Sequence, residues 1–495
     1  MRTISYSLLG LVALFATRVD AATIIVHAGD QLPNGTCSLA NAIEAANTNF
    51  SVGGCPAGSP GEDTIRFDPT LTSITFSQPI SGTVDALRVT EALVIDGSDA
   101  GGVLLQRSTA LDDSTPFRLI QVFTPTQPVT QGPALRLVAI RFANGLTTGF
   151  SGDTSNGGCL LIHGSLSMQG VSFTGCRANG LTGSGGAVAQ IGNGDHTLPT
   201  LHVAGCTFEA NEIYAGSGGA LYAESPDVDV IDSTFRNNLA GSGGVIGQGG
   251  GLSVHGDVAG MGTRIERSTF SGNRAMQGGG GLLVPAPALL RNITVSNNST
   301  SVGSGGGILL DGAETDGLPG HPADITIENS TIADNSAGDG AGVTGGAFAG
   351  GIYYAAPSTQ SGAFPLQLDS VLLAGNTARY NDEITPRDIG AQFTIGIAGT
   401  NNLSRALGTG GSNSNVYFDF APATCEPQLA PLTANGGPTA TRALLPGSCA
   451  IDAGANPDGL TTDQRGSGYP RVLGSAADIG AFEGSSDVIF ADGFD

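Results

Sequence analysis

No lysine and no tryptophan occur among the 495 residues, and only 13% of the side chains are charged. The missing Lys removes Schiff-base chemistry and a Lys general base, and the missing Trp removes the best stacking ring for a bound sugar. All 20 basic residues are therefore Arg, set against 43 acidic ones, for a formal charge of -23. That balance disfavours nucleic acid as a partner, because phosphate binding needs clustered positive charge. Long apolar runs are missing too. The stretch from Leu8 to Ala16 falls far short of the ~20 residues that span a bilayer, and no later one qualifies. No transmembrane segment is expected in the mature chain.

What the chain has is glycine: 78 residues, without the three-residue period of collagen, alongside 40% hydrophobic residues that can fill a continuous core. This composition fits a folded, turn-rich β protein. At the N-terminus Arg2, the apolar stretch and Val19-Asp20-Ala21 have the layout of a secretory signal peptide, residues 1–21. Export suits the seven cysteines, of which Cys37/Cys55 and Cys425/Cys449 can each close a local loop. Cys159, Cys176 and Cys206 then leave one thiol over.

Internal repeats dominate the middle. Phe208-Glu209-Ala210-Asn211, Phe235-Arg236-Asn237-Asn238 and Phe270-Ser271-Gly272-Asn273 share a Phe-x-x-Asn phrase, each preceded by Cys-Thr or Ser-Thr. Degenerate copies follow at Val295/Asn298, Ile332/Asn335 and Leu373/Asn376, while Phe142 and Phe173 take the Phe role upstream, with Cys176 standing where later copies have Asn. Between anchors lies a glycine pair or triplet followed by apolar residues, as in Gly218-Gly219-Ala220-Leu221. A unit with two or more short strands cannot bury its own apolar face, so copies must stack with strands in parallel ~4.8 Å apart. The expected fold is all-β, a right-handed parallel β-helix over residues 136–400. Phe142, Phe173, Phe208, Phe235 and Phe270 form an interior column in this reading, and Asn211, Asn238, Asn273, Asn298, Asn335 and Asn376 stack their amides at a turn. Both columns are structural.

Unequal anchor spacings place insertions at 190–200, 256–263, 311–323 and 355–365, mostly after the glycine-led strand. Insertions at one phase of a coil emerge along one edge, so Asp195, His196, Asp257, Asp311, Glu314, Asp316 and His321 make a candidate binding edge. Its acidity favours neutral glycans or cationic surfaces, with Ca²⁺ entering only as a bridge to an anionic polymer. Simple solvated loops explain the same residues. Two flanks differ from the repeats: residues 22–135 read as a β-rich N-terminal cap with a short helix from Ser38 to Ala46, and residues 425–483 as a compact terminal cap.

Several phrases resemble known families. Cys37-Ser38-Leu39-Ala40-Asn41-Ala42-Ile43 is similar to the CSLREA motif of secreted bacterial β-helix proteins, with Ala-Asn in place of Arg-Glu. The middle resembles polymorphic outer-membrane protein repeats. Leu429-Ala430-Pro431-Leu432, Ala450-Ile451-Asp452-Ala453-Gly454, Asp463-Gln464-Arg465-Gly466 and Asp478-Ile479-Gly480-Ala481-Phe482-Glu483 resemble the choice-of-anchor Q domain. The resemblances imply an exported, adhesin-like protein, secreted or at the bacterial cell surface, and they bring no catalytic residues with them. Only a short tail, 484–495, follows the last motif, which argues against a self-translocating passenger.

The sequence therefore reads as a monomeric structural, adhesive or glycan-binding protein with no cofactor. The enzymatic alternative is a polysaccharide lyase or glycoside hydrolase working on the side face of the solenoid. It needs facing carboxyl groups or a base beside a bound uronate. His255-Gly256-Asp257 and the arginines Arg264, Arg267 and Arg274 are the nearest approach. Zinc is disfavoured because no His-x-x-x-His pair occurs, and Gly338-Asp339-Gly340 is an isolated fragment of the Ca²⁺ nonapeptide.

Overall fold

The computed structural model describes residues 21–27, 35–123, 132–192, 199–244, 246–256, 262–312, 325–340, 347–355, 365–380, 383–406, 416–419 and 422–484. In one coil the strands Thr200–Ala204, Thr207–Glu209, Glu212–Ile213 and Leu221–Glu224 follow one another, and Asp227–Ile231 then lies parallel to the first. Repetition of this circuit builds four long sheets of 13, 11, 9 and 10 strands, numbered here sheets 1 to 4 in the order of that coil. Among the described residues every strand pair in them is parallel except Thr377–Tyr380 with Glu383–Pro386. The architecture is a parallel β-helix.

Each coil turns at left-handed residues. The corner between sheets 1 and 2 uses Gly205, Asp232, Arg267, Asn292 and Asn329, and the next uses Ala210, Asn237, Gly272 and Asn297, all with φ between 44° and 64°. Side chains are tolerated at these two corners. Leading into sheet 4 the turn residue is Gly185, Gly218, Gly249, Gly279 or Gly305, where a Cβ would come within 1.9 to 2.6 Å of the carbonyl oxygen three residues on. The following Gly186, Gly219, Gly250 and Gly280 each leave 2.0 to 2.2 Å between such a Cβ and a carbonyl of the next coil. The repeated glycine pair is thus a double steric requirement, one within the turn and one between coils.

Inside, Phe142, Phe173, Phe208, Phe235 and Phe270 pair in register on sheet 2 and are at most 1% exposed. Their rings stack at centroid distances of 4.8, 5.2, 4.5 and 4.8 Å. Burying each ring stabilises the fold by roughly 1.5–3 kcal/mol, and offset stacking adds to it. The buried asparagines form a continuous ladder. The Asn273 Oδ1 accepts from the backbone N–H and side-chain amide of Asn238, while its Nδ2 donates to the Phe235 carbonyl and to the Asn298 Oδ1. The ladder starts where Cys176 N–H donates to Asn211 and ends where Asn376 donates to the buried carboxylate of Asp388. A second, hydroxyl column lies at the other corner of sheet 2. There Ser233 and Ser268 each accept from the previous coil's backbone and donate to a carbonyl two residues back.

Both flanks depart from the expectation. Thr23–Val26, Asp63–Phe67 and Leu93–Asp96 belong to sheet 1, and Ser73–Phe76 and Val103–Arg107 to sheet 2. The coils therefore begin at Thr23, more than a hundred residues before the expected start. What covers the first coil is the helix Leu39–Thr48, capped by Ser38 and burying Leu39, Ala42, Ile43, Ala45 and Ala46. Residues 425–484 likewise do not sit as a plug on the last coil. They fold back along the outer face of sheet 2, where Gln464 accepts from Thr294 Oγ1 at 2.6 Å and donates to Thr269 Oγ1 at 2.9 Å, and Ala481 N–H donates to Thr331 Oγ1. Cys37–Cys55, Cys425–Cys449 and Cys159–Cys176 are disulfide-bonded, and Cys206 is unpaired and buried.

Candidate functional site

The insertions leave the solenoid at one place. Sheet 4 strands end at Glu224, His255, Pro285, Asp311 and Ala355 in successive coils, with Glu224 paired to His255, Pro285 to Asp311 and Asp311 to Ala355. The insertions after Gln190, His255, Asp311 and Ala355 run from the end of sheet 4 to the start of sheet 1, whereas Glu224 and Pro285 lead almost directly into Asp227–Ile231 and Ala288–Arg291. Other long connections, from Thr147 to Leu160, Ala240 to Leu252 and Ala337 to Ile352, join sheet 3 to sheet 4. Asp195, His196, Asp257, Glu314, Asp316 and His321 lie outside the described residues. Asp311 is described, half-buried at the end of Ile308–Asp311 and close enough to act electrostatically on His255.

On the sheet 4 side the alternation of the strand sends Tyr222 and Glu224, then Ser253 and His255, outward. Tyr222 donates to Glu224 Oε1 at 2.9 Å, and the backbone N–H of Gly192 donates to Glu224 Oε2. The His255 ring lies against Tyr222 at 4.9 Å, and its Nε2 is 2.8 Å from Ser253 Oγ. Burial pushes the His255 imidazole below its ordinary range, opposed by the Glu224 and Asp311 carboxylates. Burial and the Glu224 carboxylate push the Tyr222 phenol up. Ser253 is fully buried, so this Ser–His contact orients the imidazole and offers no hydroxyl to a polymer outside.

On the sheet 1 side Thr200, Leu201, His202, Asp227, Val228, Asp229, Gly262 and Arg264 line an open groove of about 430 Å³. His202 Nδ1 is 3.0 Å from Asp229 Oδ2, and Arg264 reaches Asp229 Oδ1 at 3.3 Å and also Glu266. Strand register makes this a row: Ser167, His202, Asp229 and Arg264 are consecutive partners. The other two arginines of the sequence reading are also engaged, Arg267 with Asp232 at 2.8 Å and Arg274 with the Ser301 hydroxyl. An arginine held between two carboxylates is a poor clamp for a uronate. The groove instead offers alternating donors and acceptors suited to hydroxyl groups.

Sequence reasoning missed three features. The groove arises from residues 27 and 35 apart that only register brings together. The opposite edge of sheet 4 carries exposed apolar side chains, Phe150 at 78%, Leu181 at 58% and Ile246 at 61% exposure, which no repeat phrase marks. Docking of residues 425–484 along sheet 2 rests on single contacts such as Gln464. Among the described residues no group of three or more His, Cys, Asp or Glu side chains is arranged to hold a metal ion, and no helix is long and apolar enough to cross a membrane.

Comparison with known proteins agrees with this architecture. Residues 150–358 match the family described as a right handed beta helix region. The chain is 30% identical over 171 residues to a probable autotransporter, YfaL, of Escherichia coli (strain K12), a match covering 32% of this chain and 13% of that protein. The chain thus spans only a small part of that relative's length. No solved structure gives a significant match. The fold is a right-handed parallel β-helix.

Proposed function

We propose that this chain is an exported, surface-presented β-helix protein that binds neutral glycan chains along the edge between sheets 4 and 1 and does not cleave them. The observation that carries the reading is the row of His202, Asp229 and Arg264 in one groove, beside the strand ends from which the insertions after Gln190, His255, Asp311 and Ala355 depart. Hydroxyl-rich ligands match such a row of paired polar groups, whereas the formal charge of -23 repels anionic polymers. Three disulfides and the partial likeness to a probable autotransporter support export. Cys37-Ser38-Leu39 at the first coil and the Asp463-Gln464-Arg465 and Asp478 to Glu483 phrases, as buried docking elements, fit the CSLREA and choice-of-anchor Q resemblances. A polysaccharide array on purified protein tests the proposal, read both for retention and for released unsaturated or reducing ends. Retention of neutral chains without released ends is expected; released ends would replace this reading with a lyase or hydrolase.

A further inference from the structure

A second outward row on sheet 1 carries charge where residues 425–484 meet the solenoid. Glu266, Arg291, Glu328, Asp369 and Thr400 are consecutive register partners. Asp458, from the folded-back segment, lies over this row. Its Oδ2 is 3.5 Å from Arg291 Nη1, and Glu328 Oε1 is 3.7 Å from the same nitrogen. Arg291 is also paired with Glu266, which Arg264 and Arg267 contact as well. Four carboxylates, Glu266, Glu328, Asp369 and Asp458, thus face three guanidinium groups that all converge on Glu266. Asp369 is held by Gln367 and Thr400. Glu328 is 2% exposed, and its Oε1 accepts no hydrogen bond.

Asp458 is presented by a short, pinned loop. Before it, Asn401 donates to the Ala453 carbonyl and Ser370 Oγ bonds Ala455; after it, Asn292 donates to the Thr462 carbonyl. Within it, Asn456 bonds both backbone groups of Leu460. The loop tip can therefore move without freeing the segment on either side.

We propose that residues 456–460 form a pH-sensitive clasp, closed on sheet 1 when the protonated carboxyl group of Glu328 donates to Asp458 and loosened when that proton passes to solvent. Glu328 is buried and Asp458 about half exposed beside the same guanidinium, so the two carboxylates repel when both are ionised, and the cost falls on the buried Glu328. Burial pushes the Glu328 carboxyl up to about 7, with Asp458 the next cause, Asp369 adding to it and Arg291 opposing. Because the shift is upward, closure is fully present below the ordinary value of 4.5 and is lost as pH rises through about 7. The ratio of closed to open loop falls by on the order of 100-fold across that interval.

Hydrogen exchange on the full chain, corrected for intrinsic rates, tests this on the peptide covering 456–461, with the strand Leu366–Asp369 as reference. Wild type should lose about 100-fold protection in the loop as pH rises from about 4.5 to about 7 and level off above that, while the reference stays protected. Glu328→Gln, which donates without titrating, should keep the loop protected throughout, and Asp458→Asn should move the levelling-off to lower pH. Loop protection that is independent of pH in wild type, an identical fall in Glu328→Gln, or parallel loss in the reference strand would each overturn the clasp.

Discussion

Phe235→Ala removes the fourth of the five rings in the aromatic stack of the solenoid. Phe235 is fully buried, with Phe208 at 4.5 Å on one side and Phe270 at 4.8 Å on the other. Loss of the transferred apolar surface costs ~2–3 kcal/mol. The void, roughly 100 Å³ at ~24 cal/mol per Å³, adds about 2 kcal/mol if the walls stay in place. Register pairing of both neighbours limits collapse, because moving a coil would break the backbone ladders on all four sheets. The expected cost is ~3 to 5 kcal/mol. Because each coil contacts only its neighbours, the loss should be local. Hydrogen exchange should show protection falling in Thr207–Glu209 and Thr269–Ser271 and not in Ser73–Phe76, and the thermal midpoint should drop. An unchanged midpoint, or a loss spread evenly over all coils, would refute the column as an energetic unit.

Asn273→Ala strips one rung from the ladder and leaves the Asn238 N–H without a partner, while the Phe235 carbonyl loses one of its bonds but keeps its place in the ladder with Thr269–Ser271; at ~1–3 kcal/mol for a buried orphan, denaturant unfolding should show a loss of that size. Cys206 should resist thiol reagents in the native state, since burial pushes its thiol up to about 11, and titration with a disulfide reagent should find it only after unfolding. Gln464→Ala should leave Thr269 and Thr294 in contact with a cavity and weaken the docked segment, so exchange in residues 425–484 should quicken while sheet 4 is unaffected.

The repeat phrases carried much of the solenoid in plain sight. Phe-x-x-Asn names an inward ring and a turn amide, and the glycine pair names the corner where a Cβ has no room. Before Arg136 the same phases hold Ile74 and Leu105, paired in register with each other and then with Phe142. Without a Phe or an Asn to mark them, those coils read only as β-rich sequence. The Cys-Thr and Ser-Thr phrases hid a hydroxyl column whose bonds run between coils and not along the sequence. The path of residues 425–484 was illegible for a different reason: Gln464 meets Thr269 and Thr294 about 170 to 195 positions away, and no local pattern encodes such a contact. The candidate edge was legible as a phase of insertion, while its groove required strand register to bring His202, Asp229 and Arg264 side by side.

The most direct test of the binding edge is polysaccharide retention by two variants measured side by side. One carries Asp311→Asn, Glu314→Gln and Asp316→Asn at the insertion edge, which keep size and remove three charges. The other carries Phe150→Ser and Leu181→Ser on the opposite edge of sheet 4, where both side chains are exposed. The account predicts that the first variant alters retention or its salt dependence with little change in thermal stability, and that the second retains glycan like wild type. Retention that survives the first set and is abolished by the second would contradict the account.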